Sequence, residues 1–159
     1  MTPSASPTIV AAVDLGSNSF HLVVARVEHA QVRVVDRIRE PVALASGLDA
    51  QGRLNKEIRD RAIACLERFG QRLREMHPGS VRAVGTSALR EAANARSFLS
   101  QAEDALGHPI EIVSGQEEAR LIYAGVAQSL AHDAPSPSAR RLVVDIGGGS
   151  TEFILGEGM

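Results

Sequence analysis

Aromatic side chains, cysteine and lysine are all scarce in this sequence, and each shortage closes off a class of function. There is no tryptophan, one tyrosine and four phenylalanines, so recognition of a nucleobase by stacking on aromatic platforms has little support. The single cysteine, Cys65, falls on the apolar face of a helical stretch. A disulfide framework is thereby excluded, and a reducing, cytoplasmic compartment is expected. The single lysine, Lys56, sits in Leu-Asn-Lys-Glu-Ile with no glycine around it, so a Walker-type phosphate loop is absent. The balance of 17 basic and 19 acidic residues leaves a net charge of -2, too little to hold nucleic acid by a general positive field. His21, His29, His77, His108 and His132 show no zinc-ligand spacing. No apolar run approaches the ~20 residues of a membrane span, and the polar opening residues do not form a secretory leader. The protein is expected to use neither nucleic acid nor membrane as a partner.

What is present is enough hydrophobic residue, 44% of 159, for one core, but not for two complete enzyme lobes. After a loose polar N-terminus (1–8), continuous apolar runs at Ile9–Val13 and Phe20–Val27 read as two strands joined by a tight loop. Gln31–Ile38 alternates as a third, more exposed strand, with Val35 and Asp36 breaking the alternation. From Asn55 to Met76, Ile58, Ala62, Cys65, Leu66, Phe69, Leu73 and Met76 recur at helical spacing. Val81–Val84 and Ile110–Val113 are short strands separated by helical segments ending near Leu106. Gln116 to about Leu130 reads as a helix, entered through Ser114-Gly115-Gln116-Glu117, which has capping-box form. Residues 131–140 have linker composition, and 141–159 form a final hairpin. The pattern predicts an α/β fold with a mixed sheet flanked by helices, residues 9–130 making one lobe.

The two ends of the chain repeat one unit. Val13-Asp14-Leu15-Gly16-Ser17-Asn18-Ser19 corresponds to Val144-Asp145-Ile146-Gly147-Gly148-Gly149-Ser150. In each, a carboxylate ends a buried strand, glycine permits close approach, and hydroxyl or amide side chains line the turn. Successive backbone N–H groups in such turns make anion-binding nests. Two facing nests could clamp a phosphate chain, with Asp14, Gly16, Ser17, Asn18, Gly147, Gly148 and Ser150 as the expected contacts. Asp14 and Asp145 would repel that phosphate unless a divalent cation, Mg²⁺ or Mn²⁺, lay between them.

Taken together, AVDLGSNSFHLVV, GTSALREAAN, IEIVSGQEEARLIYAGV and VVDIGGGSTEF resemble the exopolyphosphatase and guanosine pentaphosphate phosphohydrolase family, from about Ile9 to the last residue. That family belongs to the actin, sugar-kinase and chaperone-ATPase superfamily. The resemblance implies a ribonuclease H-like (actin-like ATPase) lobe, a cleft between two lobes, and removal of terminal phosphates from polyphosphate or guanosine pentaphosphate. A homodimer is expected of the full-length protein. A kinase of the same superfamily, or a non-catalytic anion-binding module, are the alternatives.

The family places a water-activating glutamate at the start of the helix after the GQEEA-like turn. Glu117 fits the capping box, whereas Glu118 points about 100° further round the helix and is free to face a cleft. The motif match also falls on Glu118, which is therefore assigned the base. The family's Thr-x-x-x-Arg element falls on Arg90, whose guanidinium fork suits phosphate oxygens. Glu152 resembles the family's metal-proximal or water-proximal acid, so Asp14, Asp145 and Glu152 form the expected metal set. Without the second lobe the hairpin is expected to be disordered, to fold back onto its own lobe or to pair with the same segment of another copy, and in each case not to hold the second nest opposite the first.

Overall fold

The computed structural model describes residues 8–29, 31–130 and 140–157. The expected loose N-terminus, apart from Thr8, and the expected linker, apart from Arg140, lie outside the described residues.

Three strands open the chain as a meander: β1 (Thr8–Leu15), β2 (Ser19–Glu28) and β3 (Gln31–Pro41). β1 pairs antiparallel with β2, and β2 with β3. The broken alternation at Val35 and Asp36 has a local cause. Val24 pairs with Asp36 and Ala25 with Val34, so Val35 is the extra residue of a β-bulge. β3 runs three residues further than the sequence suggests, to Pro41, and is the edge strand, where proline costs no ladder hydrogen bond.

Helix α1 (Lys56–Leu73) starts where Asn55 accepts a hydrogen bond from the Ile58 N–H at 3.0 Å. Its predicted stripe is the buried one, Ile58, Ala62, Cys65, Leu66, Phe69 and Leu73. Met76 lies beyond the helix end and packs at the margin of the core. β4 (Val81–Gly85), the short α2 (Ser87–Glu91), α3 (Ala95–Leu106) and β5 (Ile110–Ile112) follow. β4 lies parallel to β1, and β5 parallel to β4, giving the mixed order β3-β2-β1-β4-β5. Phe20, Phe69 and Phe98 are fully buried between this sheet and α1 and α3, each contributing about 2–3 kcal/mol. Residues of β1 and β2 that alternate with the core positions, Asp14 and His21 among them, are left on the other face.

Helix α4 (Gly115–Ser129) begins one residue earlier than the sequence indicates. The last element is the antiparallel hairpin of β6 (Arg140–Ile146) and β7 (Thr151–Glu157). Of the outcomes expected for it, folding back onto its own lobe is the one observed: it packs on α4, and a Cβ at Gly156 would collide with the Tyr123 ring. Its other face, Leu142, Val144, Ile146, Phe153 and Leu155, is exposed. Among the described residues no helix is long and apolar enough to cross a membrane.

Candidate active site

The first loop, between β1 and β2, is braced by the segment that follows β3. The Asn18 carbonyl accepts from the N–H groups of Val42 (3.1 Å) and Ala43 (2.8 Å), and the Ser17 carbonyl from Ala45 at 3.0 Å. Ser17 is buried, and its Oγ accepts from the Ala88 N–H at 3.3 Å, tying the loop to α2.

The second loop, between β6 and β7, docks directly on the first. A side chain on Gly148 would collide with Asn18, and a Cβ on Gly149 would lie 2.6 Å from Ser17 Oγ and 3.0 Å from Ser87 Oγ. The absence of a side chain at both positions permits this close approach. The expectation that the hairpin would not hold its nest opposite the first is overturned: packing on α4 and contact between the loops hold it there.

Between the loops lies a cavity of about 400 Å³. Asp14, Gly16, Ser17, Asn18, Asp145, Gly147, Gly148 and Ser150 all line it, with Glu118, and with Ser19, His21, Arg39, Thr86 and Ser87, which the sequence reading did not single out.

Its electrostatics are dominated by carboxylates. Burial first, then the charges of Glu118 and Asp145, push the Asp14 carboxyl up from 3.8 to about 6. His21 is shifted the other way, held below the usual imidazole range by burial and by Arg39 and Arg37.

Glu117 and Glu118 part company on one helical turn. Ser114 Oγ accepts from the Glu117 N–H at 3.1 Å, half of a capping box. The other half is not made, because the Glu117 carboxylate turns outward to Arg120, both contacts at 2.7 Å. Glu118 faces the cavity, and its Oε2 lies 2.7 Å from Arg90 Nη1. The same nitrogen donates to the Val113 carbonyl at 3.0 Å. Arg90 thus grips Glu118 and is not among the residues lining the cavity.

Among the described residues no cluster of three or more metal-ligating side chains occurs. The donors nevertheless fit a Mg²⁺-type ion, which needs only one or two carboxylates beside phosphate and water. Asp14 Oδ1 and Glu152 Oε2 are buried without a hydrogen-bond partner, and Asp145 shares the cavity with Asp14. Glu152 stands opposite Asp145 in the hairpin register and is not among the cavity-lining residues.

A mixed sheet and a separate hairpin whose glycine-rich loops meet over a polar, carboxylate-rich cavity define an actin-like ATPase-fold lobe. The chain belongs to the Ppx/GppA phosphatase family, whose model matches residues 23–159. It is 47% identical over 158 residues to the guanosine-5'-triphosphate,3'-diphosphate pyrophosphatase of Vibrio vulnificus, covering 99% of this chain and 31% of that protein. Among solved structures it is similar to the Ppx/GppA enzyme of Aquifex aeolicus (TM-score 0.83, 32% identity, 96% of this chain and 49% of that one). It is also similar to an exopolyphosphatase from Cytophaga hutchinsonii (TM-score 0.81, 31% identity, 94% and 47%). The chain thus spans about a third of the curated relative and about half of the solved ones.

Proposed function

We propose that the full-length protein hydrolyses terminal phosphoanhydride bonds of inorganic polyphosphate, guanosine pentaphosphate or both, releasing orthophosphate. The observation that carries this reading is the meeting, in one cavity, of two glycine-rich loops and a glutamate held in place by an arginine. Phosphoryl transfer depends chiefly on positioning and charge stabilisation, and these parts supply both.

The loop N–H groups, with the side chains of Ser17, Asn18 and Ser150, hold the terminal phosphoryl group. Arg90 occupies Oε2 of Glu118, which leaves Oε1 for a water molecule. As the water oxygen bonds to phosphorus, Glu118 accepts its proton. The bond from phosphorus to the bridging oxygen breaks, and its electron pair leaves with the shortened chain. A Mg²⁺ or Mn²⁺ ion held by Asp14 and Asp145, with Glu152 behind them, would screen the carboxylates and draw charge from the phosphoryl oxygens. A cytoplasmic location and a homodimeric full-length form belong to the same proposal. The first is supported by the lone, buried Cys65, whose thiol is pushed up to about 12, chiefly by burial; the second rests on family resemblance.

The test is orthophosphate release from long-chain polyphosphate and from guanosine pentaphosphate by the full-length protein. Glu118→Gln is expected to lower kcat by roughly 10²–10⁴, the usual share of a positioned acid or base, while Glu117→Gln stays within a few-fold of the parent. Equal losses in both folded variants would overturn the assignment.

A further inference from the structure

The register of the sheet lines up three polar side chains across three neighbouring strands. Asp14 on β1 stands directly opposite His21 on β2, and His21 directly opposite Arg39 on β3. Directly opposed residues project from the same face of a sheet, and all three line the cavity. With strands about 4.8 Å apart, the Arg39 backbone lies roughly 10 Å from that of Asp14. Glu118 enters from the other side: α4 follows β5, and the order β3-β2-β1-β4-β5 puts that strand beyond Asp14 as seen from Arg39. The cavity therefore has a direction, with a carboxylate at one end, the loops and Asp14 in the middle, and a guanidinium at the other.

Arg39 is the one arginine or lysine among the described residues lining the cavity. Its neighbours Asp36 and Glu40 are drawn away to Arg72 and Arg68 of α1. Arg39 itself, among the described residues, forms no ion pair. Its Nε donates to Oγ of the buried Ser19 at 3.4 Å, which orients the side chain and leaves both terminal nitrogens for another acceptor.

We infer that Arg39 binds the phosphate on the leaving side of the scissile bond, so that the substrate runs across the strands with its terminal phosphoryl group at Asp14 and its penultimate phosphate at Arg39. The inference rests on the phosphohydrolase reading and adds a direction to it. An in-line displacement requires the leaving oxygen opposite the attacking water, and Glu118 fixes the water at the β5 end. A loose transition state moves negative charge onto the leaving chain, where a guanidinium fork can take two phosphate oxygens at once.

Binding of two inorganic probes, orthophosphate and tripolyphosphate, to this chain in the presence of Mg²⁺ separates the possibilities. Arg39→Ala is expected to weaken tripolyphosphate ten- to hundredfold and to leave orthophosphate within twofold. Arg39→Lys, which keeps the charge and loses the fork, should fall between the parent and the alanine variant for tripolyphosphate. Unchanged tripolyphosphate affinity in both variants, or an equal loss for the two anions, overturns the inference while the phosphohydrolase reading stands. A parent protein that binds neither anion overturns that reading and this one together.

Discussion

At the scale of single residues, the site is assembled against its own stability. Asp14 is partly buried beside Glu118 and Asp145, and burial first, then those two charges, raise its carboxyl from 3.8 to about 6. The folded protein therefore holds this proton more tightly than the unfolded chain does. The contribution of Asp14 becomes destabilising as pH rises from about 4 through 6, and the full cost is present above that. Asn cannot ionise, so Asp14→Asn is expected to match the parent below pH 4. Above pH 6, in chelator, it should exceed the parent by about 2–3 kcal/mol. Thermal unfolding of the two proteins from pH 3.5 to 8 measures the difference; a gap that does not widen with pH would show that Asp14 is not strained by its neighbours. The same substitution should abolish phosphate release, since a destabilised group kept at a site is one the site uses. Arg39 has the converse character. It forms no ion pair among the described residues, which is visible only once Asp36 and Glu40 are seen paired elsewhere.

At the scale of elements, the critical joint is the contact of the two glycine loops. Adding a methyl group at Gly148 drives it into Asn18, so Gly148→Ala is expected to lower kcat of the full-length enzyme by about 10–100-fold through misplacement of the second loop. The loss should be smaller in an Asn18→Ala background, where the collision is relieved; a double-mutant cycle reads that coupling directly, and additive losses would sink the explanation. The loops, the α1 stripe and the opposed phases of Glu117 and Glu118 were legible in the sequence because each rests on local spacing: a repeated turn, a period of 3.6, a step of one residue on a helix. The row Asp14, His21, Arg39 was not, because it exists only in the strand register. Val35 bulges out of β3, so counting along the strand from its start gives the wrong partners. The particular seat of the hairpin on α4 was not legible either. Its signal, Gly156 two residues after Ile154, looks like any strand-end glycine until the Tyr123 ring is found pressed against it.

For the molecule as a whole, the hairpin presents two unlike faces. One lies on α4, and the other offers Leu142, Val144, Ile146, Phe153 and Leu155 to solvent. A contiguous apolar face of this kind promotes association. The 159-residue chain is expected to elute at larger apparent size as its concentration rises, and Phe153→Ser with Leu155→Ser should keep it monomeric. Sizing chromatography checks both, and concentration-independent elution of the parent would count against an adhesive face. The interlocked loops also bear on how the protein is made. Ser17 and Asn18 leave the ribosome early, whereas Gly148 and Gly149 follow more than a hundred residues later, and at ~5–20 residues per second several seconds separate them. For that interval the nascent lobe has half a cavity and nothing to close over an anion. β1 to β5 therefore fold on their own core, and the cavity is complete only when the β6–β7 hairpin docks.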